Sequence, residues 1–212
     1  MPPPDGHAAA FTRLGTPLQA IGAHEHLLRF LGRWGKMPAD QARAASALFR
    51  PMSLPKGALL ARAGEPPQHV AFIVRGLVRL YFTGADGQEW TYDFRHEDHF
   101  VCAHSAVRDA VPAAMSAQAL EACQLLVASC RAFWDLCDRS TVWRGLSTRL
   151  TEASYRRQLD RQRELLMEDA ATRYRNFLTG HPAIARRLTQ RQIASYIGIT
   201  PVALSRLRSR LI

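Results

Sequence analysis

The residues best able to bind or transform something fall in a few short stretches. Arg95-His96-Glu97-Asp98-His99-Phe100-Val101-Cys102-Ala103-His104 gathers three histidines and a cysteine, all candidate ligands of a transition metal or haem. Their spacing fits no compact metal motif, and His96 and His99 read as polar residues of an exposed turn, so no metal ligand is assigned. The four cysteines are Cys102, Cys123, Cys130 and Cys137; they form no C-x-x-C pair, and none precedes Cys102. Free, buried thiols in a reducing compartment are therefore expected, and an N-terminal iron–sulfur cluster is not. No nucleophile–base pair, paired carboxylates or Gly-rich phosphate loop stands out. No catalytic residue is assigned, and an enzyme is not expected.

The charge points to a polyanion. The chain has 212 residues and a net charge of +10. Residues 1–138 hold 13 basic and 13 acidic side chains, whereas residues 139–212 hold 15 arginines against 5 acids. Beyond Gly180 there are six arginines and no acid. Such a terminal segment suits nucleic acid; the plainer alternative is a solvated basic surface.

Within that segment, roughly Thr189 to Leu211, each special position has a physical job. Thr189 can cap a first helix through its hydroxyl. Ile193 and Ile197 share an inward face, and Ala194 is small where a second helix must cross. Gly198 supplies a positive φ for a sharp turn. Ile199 plugs the corner. Thr200 and Pro201 suit the cap and first position of a second helix. Leu204, Leu207 and Leu211 face inward, which leaves Val202, Ser205, Arg206 and Ser209 outward. These features make a helix-turn-helix whose second helix enters the major groove of double-stranded DNA. Arg206 is the candidate for bidentate contact with guanine, while Thr189, Gln190, Arg191 and Arg208 are placed to meet phosphates. A helical hairpin with some other role is the competing reading.

These residues need elements to hold them. His24 to Trp34 reads as an amphipathic helix and Ala39 to Phe49 as a second, ended by Pro51 and Pro55. ALLAR (58–62), VAFIV (70–74), LVRLYF (77–82), EWTYDF (89–94), SAQALEA (116–122) and QLLVA (124–128) read as strands. Thr83 to Gly87 joins two of them as a hairpin. Strands at this spacing suit a small barrel or sandwich. After Cys130 the chain turns helical, with an apolar stripe of Val142, Leu146, Leu150 and Ala153 along an Arg-rich helix. That stripe is expected to pair with its copy in a homodimer; the alternative is packing on its own barrel. A break is expected near Met167 to Asp169. Residues 1–22 read as a loose tail. No apolar run is long enough to span a membrane and no signal peptide is visible, so a cytoplasmic protein is expected.

The stretches LPKGALLARAGEPPQHVAFIVRGLVRLYFTGADGQEW, SAQALEACQLL and, most closely, IASYIGITPVALSRLR resemble the Crp/Fnr superfamily of bacterial regulators over about residues 24–211. The resemblance implies an α+β chain in three parts. They are a cyclic-nucleotide-binding-like β-roll (23–138), a long dimerisation helix (139–167) and a C-terminal helix-turn-helix domain (168–212). It implies a transcription regulator that reads a two-fold-related site as a homodimer, with RNA polymerase among its candidate partners. Its base-reading positions fall on Pro201, Val202 and Arg206; only Arg206 matches the cyclic-AMP receptor pattern, so that operator is not implied. The family's wing hairpin is expected to be absent, because the sequence given ends directly after the second helix. The phosphate cassette also departs. Cys102 and Ala103 stand where binding members carry Gly-Glu, and Met115 stands where they carry arginine. The candidate effector pocket is thus Cys102, Ala103, His104, Met115 and Ser116, with no cofactor assigned and cyclic AMP not bound in the usual way. A cytoplasmic signalling or metal- or haem-sensing module acting through protein partners is the other function considered.

Overall fold

The computed structural model describes residues 17–34, 37–102 and 111–211. Two helices open the described chain, α1 (Pro17–Trp34) and α2 (Ala39–Ser46). Eight strands follow: β1 (Arg50–Leu54), β2 (Leu59–Ala61), β3 (His69–Arg75), β4 (Val78–Thr83), β5 (Glu89–Arg95), β6 (Phe100–Val101), β7 (Ser116–Ala119) and β8 (Cys123–Ser129). The rest is helical: α3 (Cys130–Arg139), α4 (Thr141–Met167), α5 (Ala170–Gly180), α6 (Pro182–Ala185), α7 (Gln190–Ile197) and α8 (Pro201–Leu211). The fold is α+β, with the strands in two four-stranded sheets ordered β1-β8-β3-β6 and β2-β7-β4-β5, an antiparallel β-roll.

Alternation along the strands builds the core. Ala71 and Ile73 stand opposite Val127 and Leu125, and Met52 and Leu54 opposite Leu125 and Cys123, so one face of the first sheet is continuously apolar. It packs with Leu60, Val78, Ala117 and Ala119 from the second sheet. The other face is covered as well. Phe72 lies against Phe30 of α1 and Phe100, and Phe49 against Phe133 of α3. Burial on both faces explains why β3 and β8 read as unbroken apolar runs rather than alternating ones.

Several element limits differ from expectation. α1 begins at Pro17, so residues 17–22 are helical, not part of a tail. Proline is at home at a helix start, where its missing N–H has no partner to lose. The earlier part of the expected tail lies outside the described residues. α2 stops at Ser46, and β7 ends at Ala119, where Leu120 turns to donate its N–H to the Leu77 carbonyl. The hairpin between β4 and β5 closes through Gly84 N–H to the Gln88 carbonyl at 2.8 Å. Gly76 holds a φ of 125° at a tight passage beside Cys123, and its N–H donates to Glu97.

The chain forms two compact units. One comprises the chain up to Leu80 with Phe94–Leu146; the other comprises Tyr81–Asp93 with Ser147–Ile212. The second unit thus combines the tip of the β4–β5 hairpin, most of α4 and all the C-terminal helices. No described helix is long and apolar enough to cross a membrane.

Candidate nucleic-acid interface

In the second unit, α7 and α8 are joined by a turn of the expected kind. Thr189 and Gln192 form a capping box: Gln192 N–H donates to Thr189 Oγ1 at 3.3 Å, and Thr189 N–H donates to Gln192 Oε1 at 2.8 Å. Gly198 ends α7 at φ 74°, and the next N–H, of Ile199, returns to the Ala194 carbonyl. Thr200 caps α8 by accepting from Ala203 N–H at 3.1 Å. Phe177, Ile184, Ile193, Ala194, Ile197 and Leu204 are buried, so α5 to α8 each contribute to the core. Arg173 reinforces it by donating to the carbonyls of Ile197 and Glu168.

That core decides what remains outside. Pro201, Val202, Ser205 and Arg206 are all exposed on α8, with Val202 at 60%. Gln190 and Arg191 are exposed at the start of α7. Thr189 is exposed too, with its N–H taken by Gln192. Arg208 is half-buried. Asp169, at the cap of α5, accepts from Thr172 N–H at 2.7 Å, and this bond holds its carboxyl below the usual range.

Burial divides the apolar residues of the long helix into two sets. Of the expected stripe, Leu146 is buried, and Val142, Leu150 and Ala153 are half-buried. The apolar side chains left exposed include Tyr155, Leu159 and Leu166. Their intervals of four and seven residues are those of a coiled-coil seam, a signal that periodicity alone could have supplied.

The candidate effector residues lie in the first unit, as far as they are described; Ala103 and His104 lie outside the described residues. Cys102 lines a cavity of about 390 Å³ with β2, Arg62, Glu65, Gln68 and His69. Met115 and Ser116 are not among its lining residues. Ser116 Oγ is buried and accepts from Ala63 N–H at 3.0 Å, a structural bond that ties β7 to the end of β2. The described lining suits a cyclic phosphate poorly. Arg62 pairs with Glu65 at 3.3 Å, burial moves His69 toward its neutral form, and burial pushes the Cys102 thiol up. No described lining residue offers the unpaired cation that a phosphate needs.

The histidine stretch is not an exposed turn. His96 and His99 are half-buried, with ring centroids 4.3 Å apart. Asp98, at φ 65°, binds His26 and Arg33 of α1, each at 2.6 Å. Partial burial would raise its pKa, but the two bonds outweigh it and hold the carboxyl below its usual range. The segment thus anchors α1, and among the described residues no group of three or more His, Cys, Asp or Glu could hold a metal.

Sequence reasoning also missed a set of contacts. Thr91 meets Arg161 and Ser195 in the second unit although 70 and 104 residues separate it from them, and Arg161 lies over Tyr196. Nothing local marks them: Arg161 is one arginine among many on its helix.

Comparison with known proteins agrees with this architecture. Residues 51–140 match the family model of the cyclic nucleotide-binding domain. The chain is similar to FixK2 from Bradyrhizobium japonicum (22% identity, TM-score 0.66, covering 77% of this chain and 84% of that one). It is also similar to the c-di-GMP responsive global regulator CLP of Xanthomonas campestris (14%, TM-score 0.68, 82% and 91%). A third similar structure is a transcriptional regulator assigned to the Crp/Fnr family from Eubacterium rectale (12%, TM-score 0.69, 86% and 87%). At these identities the likeness establishes a shared fold. No curated protein sequence matches the chain.

Proposed function

We propose that this chain is a DNA-binding transcription regulator of the Crp/Fnr type, acting as a cytoplasmic homodimer and not as an enzyme. One observation carries the reading: a fully capped helix-turn-helix core leaves Pro201, Val202, Ser205 and Arg206 on one exposed surface, in a segment with six arginines beyond Gly180 and no acid. Residues 168–212 are the DNA-binding part, 139–167 the dimerisation helix and 23–138 the sensor. Tyr155, Leu159 and Leu166 supply the seam between two copies. A dimer would place two recognition helices on half-sites related by a two-fold axis, and RNA polymerase is a further partner. The β-roll is the sensor part, and it does not hold cyclic AMP in the usual manner, since Cys102 and Met115 stand at cassette positions where binding members carry glycine and arginine.

Fluorescence anisotropy of the full chain on labelled duplex at rising salt tests the reading. If a dimer neutralises about six phosphates, affinity falls by about 10³ between 50 and 200 mM salt. A salt-independent affinity, or none, contradicts phosphate-led docking.

A further inference from the structure

In the second unit, the hairpin tip, the long helix and the first helix of the helix-turn-helix share a polar junction. Ser195 Oγ on α7 accepts twice from β5: from Thr91 N–H at 2.9 Å and from Thr91 Oγ1 at 3.0 Å. Arg161 of α4 closes the triangle. It donates to the Thr91 carbonyl at 3.2 Å, and its guanidinium carbon lies 3.8 Å from the centre of the Tyr196 ring. Gln158, one turn earlier, donates to Asp93 at 3.4 Å. Thr91 and Tyr196 are buried, and Ser195 and Arg161 half-buried, so water competes poorly for these bonds.

We infer that Thr91, Arg161 and Ser195 are positioning residues for DNA reading, a clamp that fixes the angle of the helix-turn-helix on the long helix and hairpin. The inference rests on the DNA-binding reading above. The clamp grips α7 while every candidate base-reading residue of α8 stays exposed, so it fixes the reading surface without covering it. An arginine is required because one planar cation must both lie on a ring and reach a carbonyl; lysine can do one at a time. The tie matters most in a dimer. Two recognition helices must meet successive major grooves about 34 Å apart, so freedom in either angle is paid for at each binding event.

The test uses the full chain and a duplex that it enriches from a random pool, with variants of that duplex carrying one base pair more or less between the half-sites. Wild type is expected to bind the parent and lose affinity sharply on the altered spacings. Thr91→Val and Arg161→Ala are expected to weaken binding to the parent about five- to tenfold and to shrink the spacing penalty. Thr91→Ser, which restores the hydroxyl, is expected to restore both, while thermal unfolding of all variants gives the stability change separately. The clamp is overturned if the variants bind the parent as well as or better than wild type. It is equally overturned if they weaken with the spacing penalty intact, or if wild type tolerates any spacing. If wild type enriches no duplex, the DNA reading fails and takes the clamp with it; enrichment by wild type with unchanged variants overturns the clamp alone.

Discussion

Replacing Arg206 with alanine is expected to lower affinity for an enriched duplex by about 1–3 kcal/mol and to relax the preference at one base pair in each half-site. Arg206 is exposed near the middle of α8, one turn beyond Val202. On the proposed reading, a guanidinium there would meet guanine O6 and N7 together, so its loss would be specific to a base. Its fold role is small, because Leu204 and not Arg206 fills the core of that helix. Arg191→Ala makes the contrast: a phosphate contact should cost affinity nearly equally on every duplex and lower the salt slope by about one. Measuring both variants on the parent duplex and on single-base variants separates the roles. Unchanged selectivity after Arg206→Ala removes the base-reading assignment even if overall affinity falls.

Gly76→Ala is expected to cost the first unit about 3 kcal/mol or more, because two penalties coincide. The backbone there holds φ at 125°, where an L side chain is strained. A methyl group would also sit 2.4 Å from Cys123 Sγ and 2.8 Å from Cys123 Cα. Cys123 cannot yield cheaply: it is 2% exposed in β8 and belongs to the apolar core between the sheets. Against a total stability of about 5–15 kcal/mol, such a loss is large. Gly57→Ala is the control, since φ is 86° there but nothing lies within 4 Å of the added carbon. It should cost about 1 kcal/mol, from backbone strain alone. Urea midpoints of the two variants give the comparison, and equal midpoints would show that the close approach to Cys123 carries no weight.

What could be read from the sequence follows how local each signal is. The turn between α7 and α8 was legible because Thr189, Gly198 and Thr200 each act within four residues of themselves. Six of the eight described strands were legible as runs, though β3 and β8 did not alternate, because helices cover the face that usually meets water; β1, which carries Pro51, and the two-residue β6 were not read. The outward side of α4 was not legible because Val142, Leu146, Leu150 and Ala153 show the helical period equally well whether they meet a partner or the chain itself. Only burial separates that stripe from Tyr155, Leu159 and Leu166. Of the candidate effector set, Cys102 lines the cavity beside β2 and the Arg62–His69 segment, whereas Ser116 Oγ is committed to the Ala63 N–H, a long-range bond that an aligned cassette does not reveal. The contacts of Arg161 and Ser195 with Thr91 were invisible because hydrogen bonds between residues so far apart leave no periodic trace.

The central claim, that the exposed face of α8 reads DNA as one half of a symmetric pair, is tested most directly by letting the full chain choose from a pool of random-sequence duplexes and sequencing what it retains. The account predicts enrichment of a site with two half-sites related by a two-fold axis, their centres about 34 Å or a multiple of it apart. A retained pool indistinguishable from the input, or a single unsymmetrical motif, would contradict it.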